Sequence, residues 1–187
     1  MGNSRDDVLR TALEILHRYG LADLSMRRLA AELGVRPSAL YWHFPNKQSL
    51  LTAMADEVLG RVGPGSARMR WDHRIERVAT DMRAALLRVT DGAELVSAGQ
   101  ASGLSTTTVG DYLTDAARHG GLSDRDANAT RTAVCQLVIG LTMEQQTRAQ
   151  MERIGAAEPS DRDFDTEFAD GLALILDGAR HRRATGH

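Results

Sequence analysis

Cysteine is almost missing from this 187-residue chain. Cys135 stands alone, so no intramolecular disulfide can form, and the composition suits a reducing compartment. No stretch approaches the roughly 18 consecutive apolar residues that a membrane span requires. The opening MGNSRDDVLR turns polar and acidic at once, unlike a secretory signal. The six histidines (17, 43, 73, 119, 181, 187) form no H-x-x-x-H or Cys/His pair, which argues against a structural metal. Phosphate-cradling glycine loops, nucleophile elbows and dinucleotide fingerprints are absent. Asp161, Asp163 and Asp165 alternate, but without the glycine and terminal glutamate of a calcium loop they read as a solvated acidic stretch. With no nucleophile, base or metal centre to assemble, neither an enzyme nor a cofactor is expected. The expectation is a cytoplasmic protein without membrane association.

Strand signals are equally scarce, and helical periodicity fills the space. The fold class expected is therefore all-α. Hydrophobic residues make up 42% of the chain and charged ones 26%, enough for a core and a hydrated surface. The net charge of −2 is unevenly divided. Residues 1–47 hold seven basic against five acidic groups, while the remainder holds 16 against 20. A mildly basic head on an acidic body orients the head towards a polyanion.

Ser4-x-x-Asp7 predicts a capping box for a first helix, with Leu9, Ala12, Leu13, Leu16 and Tyr19 on one stripe up to Gly20. Asn46 caps a further helix through about Val62, with Leu50, Leu51, Met54 and Val58 inward. Gly63-Pro64-Gly65-Ser66 then forms a link. Longer helices follow at Trp71 to about Thr90, Thr106 to His119, Ser123 to about Ile154, and Asp163 to about Arg182, with a short one near Ala93 to Ala98 and a looser stretch from Gly99 to Ser105. In the last helix Gly171 and Gly178 lie seven apart, a spacing that permits close approach of another helix, within the protomer or in a symmetric four-helix dimer bundle.

The most informative stretch is Leu24 to Lys47, LSMRRLAAELGVRPSALYWHFPNK. Ser25 is a plausible N-cap, and Leu29, Ala30 and Leu33 share a face. Gly34 ends that helix and Pro37 opens the next. Two helices across a short glycine turn fit an ordinary αα-hairpin or a helix-turn-helix whose second helix enters a DNA major groove. The run Tyr41-Trp42-His43-Phe44 favours the latter. At ~100° per residue, Leu40 and Phe44 share a face while the three between them point away. Arg27, Arg28, Arg36 and Lys47 flank those rings and suit phosphates.

The block LYWHFPNKQSLL resembles the DNA-binding segment of the TetR family of bacterial transcriptional regulators, in particular the tetracycline repressor branch. The likeness is specific over about the first 62 residues and architectural beyond them. It implies a three-helix helix-turn-helix head at residues 1–46 and a larger α-helical effector-binding and dimerisation domain at 47–187, with 47–62 as connecting helix. It implies a homodimer on palindromic double-stranded operator DNA, most naturally a repressor released by a small organic effector. Tyr41 and Lys47 would contact phosphates, and Trp42 would lie beside the backbone. Arg27, Arg36, Pro37, Ser38 and His43 would stand at or near base edges. Arg36 departs from the acidic or amide residue often seen there, so the operator is not transferable from relatives.

Other expectations concern the body. In Asp91-Gly92-Ala93-Glu94-Leu95-Val96, Val96 stands where the tetracycline repressor places a metal-ligating histidine. Arg61-Val62-Gly63 replaces a second histidine, and Val78 lies near the place of an asparagine. Magnesium–tetracycline therefore suits this chain poorly, and an apolar effector suits it better. Candidate pocket residues are Met82, Leu86, Val96, Leu104, Val109, Leu113, Leu137, Leu141 and Glu144. The candidate dimer face is Val134, Leu137, Leu141, Phe168, Gly171, Leu172, Ile175 and Gly178. Two alternatives stay open: an all-α small-molecule binder or enzyme with a vestigial head, and a constitutive DNA-binding protein with no effector.

Overall fold

Ser4 starts the first helix in the manner its sequence announces. Its hydroxyl accepts from the Asp7 N–H at 3.1 Å, and the Asp7 carboxylate accepts from the Ser4 N–H at 2.9 Å. The computed structural model describes residues 4–101 and 108–185, and among these the only regular elements are helices. They are α1 (Arg5–Tyr19), α2 (Met26–Glu32), α3 (Pro37–Leu40), α4 (Lys47–Leu59), α5 (Trp71–Leu87), α6 (Gly92–Ala101), α7 (Val109–His119), α8 (Asp124–Arg153) and α9 (Phe164–Thr185).

Val8, Leu9, Ala12, Ile15 and Leu16 of α1 are buried and carry the head. Leu24, Leu29 and Ala30 from α2 and its entry, Leu40 and Phe44 beyond, and Leu50 and Met54 of α4 close over them. Tyr19, expected on the apolar stripe, is instead 43% exposed, with the Arg28 guanidinium 3.7 Å above its ring. Asn46 caps α4 as expected, its amide oxygen accepting from the Ser49 N–H at 2.8 Å.

The body is a bundle in which α8 packs between α7 and α9 and α5 lies across α7 and α8. Ile75, Val78, Met82 and Leu86 of α5 meet Val96, Leu113, Val134 and Val138 in a fully buried core. Two polar ties brace it. Asp72, fully buried at the start of α5, accepts from Arg70 and from Arg180 of α9. Arg83 of α5 reaches Gln145 of α8 at 2.7 Å and Asp165 of α9 at 2.7 Å, over the Phe168 ring.

Several boundaries differ from the periodicity. The fourth helix ends at Leu59 rather than Val62, and α5 ends at Leu87 rather than Thr90. Beyond α5 the chain turns through Val89 N–H to Leu86 C=O and Gly92 N–H to Val89 C=O, and Asp91 takes a left-handed φ of 53°. The next helix runs on to Ala101, into the stretch expected to be loose, whereas Thr106 lies outside the described residues.

Head and body meet at α6. It packs along α4, where Gly99 permits the approach: a Cβ there would sit 2.7 Å from that of Ala55. Gln48 donates to the Ala98 carbonyl at 2.6 Å, and the Leu21 N–H donates to Asp91 at 2.8 Å.

Candidate nucleic-acid interface and effector cavity

The helix-turn-helix is built from local chemistry. Ser25 accepts from the Arg28 N–H at 3.1 Å and starts α2. Its end is closed by the Val35 N–H to the Ala30 carbonyl at 3.0 Å and the Gly34 N–H to Ala31 at 3.1 Å. Gly34 sits at φ 65°, the left-handed conformation this closure needs and a glycine adopts without strain. Arg36 then turns extended and Pro37 opens α3.

That helix is shorter than the sequence suggests. It covers Pro37–Leu40, and the chain continues to Phe44 as a further turn, with the His43 and Phe44 N–H groups donating to Leu40 C=O at 3.0 and 2.9 Å. Pro45 removes a donor and forbids continuation. The facing is as the helical wheel requires: Leu40 and Phe44 are 1% exposed, whereas Trp42 is 90% exposed and Tyr41 49%. Arg36, Pro37 and Ser38 are exposed and His43 is half-buried.

Charge pairing separates the flanking cations. Arg28 is engaged by Asp23 at 2.9 Å and by Tyr19. Exposed Arg27, Arg36 and Lys47 have no carboxylate partner among the described residues. An unpaired guanidinium or ammonium beside an uncovered indole is a surface that phosphates and base edges fit. Lys47 is also the chain's single lysine.

Most of the described residues expected to line an apolar pocket lie in the core. Met82, Leu86, Val96 and Leu113 are fully buried, Val109 is 2% exposed, and all five pack in the core. Leu137 and Leu141 are half-buried against it, and Leu104 lies outside the described residues. Glu144 is exposed and paired with Arg162, so it faces away from that interior. A cavity of about 610 Å³ opens instead between α7 and α8, lined by polar residues including Thr114, Asn128, Arg131, Thr132, Cys135 and Gln136. Apolar periodicity does not mark it, because its lining is polar. The available signal was Asn128, Arg131 and Cys135, which recur at helical spacing on a helix whose next positions are core. Among the described residues no group of three metal-binding side chains gathers.

The residues of the candidate dimer face divide between inward and outward positions. Val134 is fully buried, and Leu172 and Phe168 are 3% and 7% exposed, so they are committed to the protomer's own core. Gly171 is covered by Leu137, whose methyl would lie 3.0 Å from an added Cβ. Ile175 is half-buried. The outward positions are Leu174, 73% exposed, with Gly178 on α9 and Gly140 on α8, which have open space before them.

Comparison with known proteins accords with this geometry. The family model "Bacterial regulatory proteins, tetR family" matches residues 8–54, and that of the tetracyclin repressor-like C-terminal domain matches residues 64–160. The chain is similar to the tetracycline repressor protein class C of Escherichia coli, 33% identical over 97% of this chain and 92% of that protein. The crystal structure of Mycobacterium smegmatis BioQ is 44% identical over 96% of this chain and 99% of its own, with a TM-score of 0.89. A structure of BioQ with its natural double-stranded DNA operator is 42% identical over 95% of this chain and 98% of its own, with a TM-score of 0.82.

Proposed function

The chain belongs to the tetR family of bacterial regulatory proteins, and from that premise we propose a specific division of labour. It is a DNA-binding transcriptional regulator, not an enzyme, and it acts as a homodimeric repressor in the cytoplasm. Residues 1–46 form the reading head. Residues 47–187 bind a small organic effector and dimerise, with 47–62 as the connecting segment. Within the head, Tyr41 and Lys47 hold phosphates and Trp42 lies along the backbone. Arg27, Arg36, Pro37, Ser38 and His43 stand at or near base edges. The dimer face is the outward stripe of α8 and α9 around Gly140, Leu174 and Gly178. Two-fold symmetry then sets the heads about one DNA turn apart, roughly 34 Å, facing the halves of a palindrome.

One observation carries the reading: unpaired Arg36 and Lys47 flank the exposed Trp42 on a surface whose reverse, Leu40 and Phe44, is buried. A duplex selected from a random pool supplies the test. Arg36→Ala should relax base preference, because a bidentate arginine is worth ~1–3 kcal/mol of discrimination. Lys47→Ala should weaken all duplexes alike and reduce the salt slope of log K by about 1 per head. Unchanged binding in both variants removes this surface from the interface. Effector binding in the body releases DNA by favouring a dimer with displaced heads, within the limit of its differential affinity for the two states.

A further inference from the structure

The cavity between α7 and α8 opens to solvent, with Gln100, Asp111, Asn128, Thr132 and Gln136 exposed along it and Thr114 and Cys135 at its floor. Its volume of about 610 Å³ falls within the range of small-molecule sites. Its charged groups are not equivalent. Arg118 is already satisfied by Asp124 at 2.8 Å and approached by Asp115 at 3.9 Å. Arg131 is half-buried, and among the described residues its one hydrogen bond is a long one of 3.5 Å to Thr132. Among the described residues no carboxylate lies within ion-pair distance of it. Its stem crosses the first turn of α7 where Gly110 leaves room, 3.4 Å from the position a Cβ would take. A guanidinium held partly out of water and unpaired forgoes the charge-assisted bonds it makes best.

We propose that this cavity is the effector site and that it takes a monocarboxylate with a polar body, its carboxylate paired with Arg131. This deepens the effector-responsive reading above and rests on it. Guanidinium and carboxylate match as parallel donors and acceptors, and Gln136 and Thr132 add neutral hydrogen-bonding groups beside them. The charge count selects one negative charge rather than two. Asp111, exposed at the α7 end of the cavity, repels a second, and Arg118 is taken. A phosphate monoester fits worse for that reason. An entirely apolar effector would bury Arg131 and the neighbouring amide and hydroxyls without partners.

Cys135 makes the site readable, because it lines the cavity and is the sole thiol. Burial pushes its pKa up, with Arg131 opposing, and the rate of its reaction with methyl methanethiosulfonate is the readout. The probes are benzoate, hexanoate and indole-3-acetate, each paired with its primary amide, together with inorganic phosphate, all at 10 mM with the full-length protein. At least one acid should slow Cys135 modification fivefold or more while its amide slows it less than 1.5-fold. Arg131→Gln should erase that preference, measured as the ratio with and without probe, and shift the free protein's Tm by less than 1 °C. Equal protection by acid and amide, an acid preference that survives Arg131→Gln, or no protection by any acid overturns the proposal. Phosphate protecting better than every acid overturns the monocarboxylate assignment. The selected-duplex assay is run in parallel. Loss of the regulator reading appears there as absent duplex binding, whereas duplex binding released by a compound independently of Arg131 sinks only this site.

Discussion

Asp72→Asn removes one negative charge from a place where two helices are fastened. Asp72 is fully buried at the start of α5. It accepts from Arg70 at 2.5 Å, from Arg180 of α9 at 2.9 Å and from the His73 N–H at 3.0 Å. Burial alone would push its carboxyl up, but these bonds outweigh it and hold the pKa at about 2 against an ordinary 3.8. A folded pKa below the unfolded one means stability that is present above the unfolded value and lost as pH falls through the folded one. That shift corresponds to about 2 kcal/mol at pH 7. It is an upper figure, because the guanidiniums of Arg70 and Arg180 are 66% and 40% exposed and water screens them. Urea unfolding at one protein concentration should show a penalty of up to about 2 kcal/mol for Asp72→Asn at pH 7, shrinking to about 1 at pH 3 and below about 0.5 at pH 2. A penalty equal at pH 7 and pH 3 would mean the variant disturbs packing rather than charge, and the linkage argument fails. The functional side is the position of α9. Losing the Arg180 anchor should loosen the helix that carries Leu174 of the proposed dimer face, so operator affinity should become more dependent on protein concentration.

Thr142→Val should stabilise the free protein by about 1 kcal/mol, because the Thr142 hydroxyl is fully buried without a hydrogen-bond partner among the described residues and an orphan of this kind costs ~1–3 kcal/mol. A lowered urea midpoint would show that the hydroxyl is satisfied after all. Leu174→Glu should convert the dimer towards monomer by light scattering while leaving helicity intact. Two leucines withdrawn from an interface are worth ~3 kcal/mol or more, about 100-fold in the dimer constant. An unchanged dimer constant would move the interface off this stripe.

The head was legible because each of its turns is local chemistry. Ser4, Ser25 and Asn46 cap helices within three residues of themselves, Gly34 and Pro37 punctuate the reader, and Leu40 and Phe44 bury for reasons of helical phase. Where the reader stops was harder, since Pro45 shows that a helix must end but not that it ends at Leu40 with one loose turn beyond. The body hid more, because its decisive features are pairings across long separations. Nothing near Asp72 announces Arg180, 108 residues away. The same holds for the cavity. Periodicity marks Met82, Leu86 and Leu113 as inward, but inward positions fill a core and line a pocket with equal ease. What distinguishes the proposed site is Arg131, which has no carboxylate within ion-pair distance among the described residues, and that depends on what α7 fails to offer it.

How sensing reaches reading follows from what α6 touches. Its start is held by Gln146 of α8, whose amide donates to the Leu86 and Val89 carbonyls at 3.1 and 2.8 Å and accepts from the Ala93 N–H at 3.2 Å. Asp91, the residue before it, is bonded to the head through the Leu21 N–H. Its far end is pinned to α4 by Gln48 and by the bare approach of Gly99 to Ala55. The same short helix is thus linked at its start to the head and to α8 and at its far end to the connecting helix α4, and α8 carries Arg131. Against this, the seam where α1, α4 and α5 meet leaves a recess of about 290 Å³ around His17, Val58 and Arg88. On the effector reading proposed above, a ligand that drew α8 towards α7 would act on α4 and the reader through these contacts of α6.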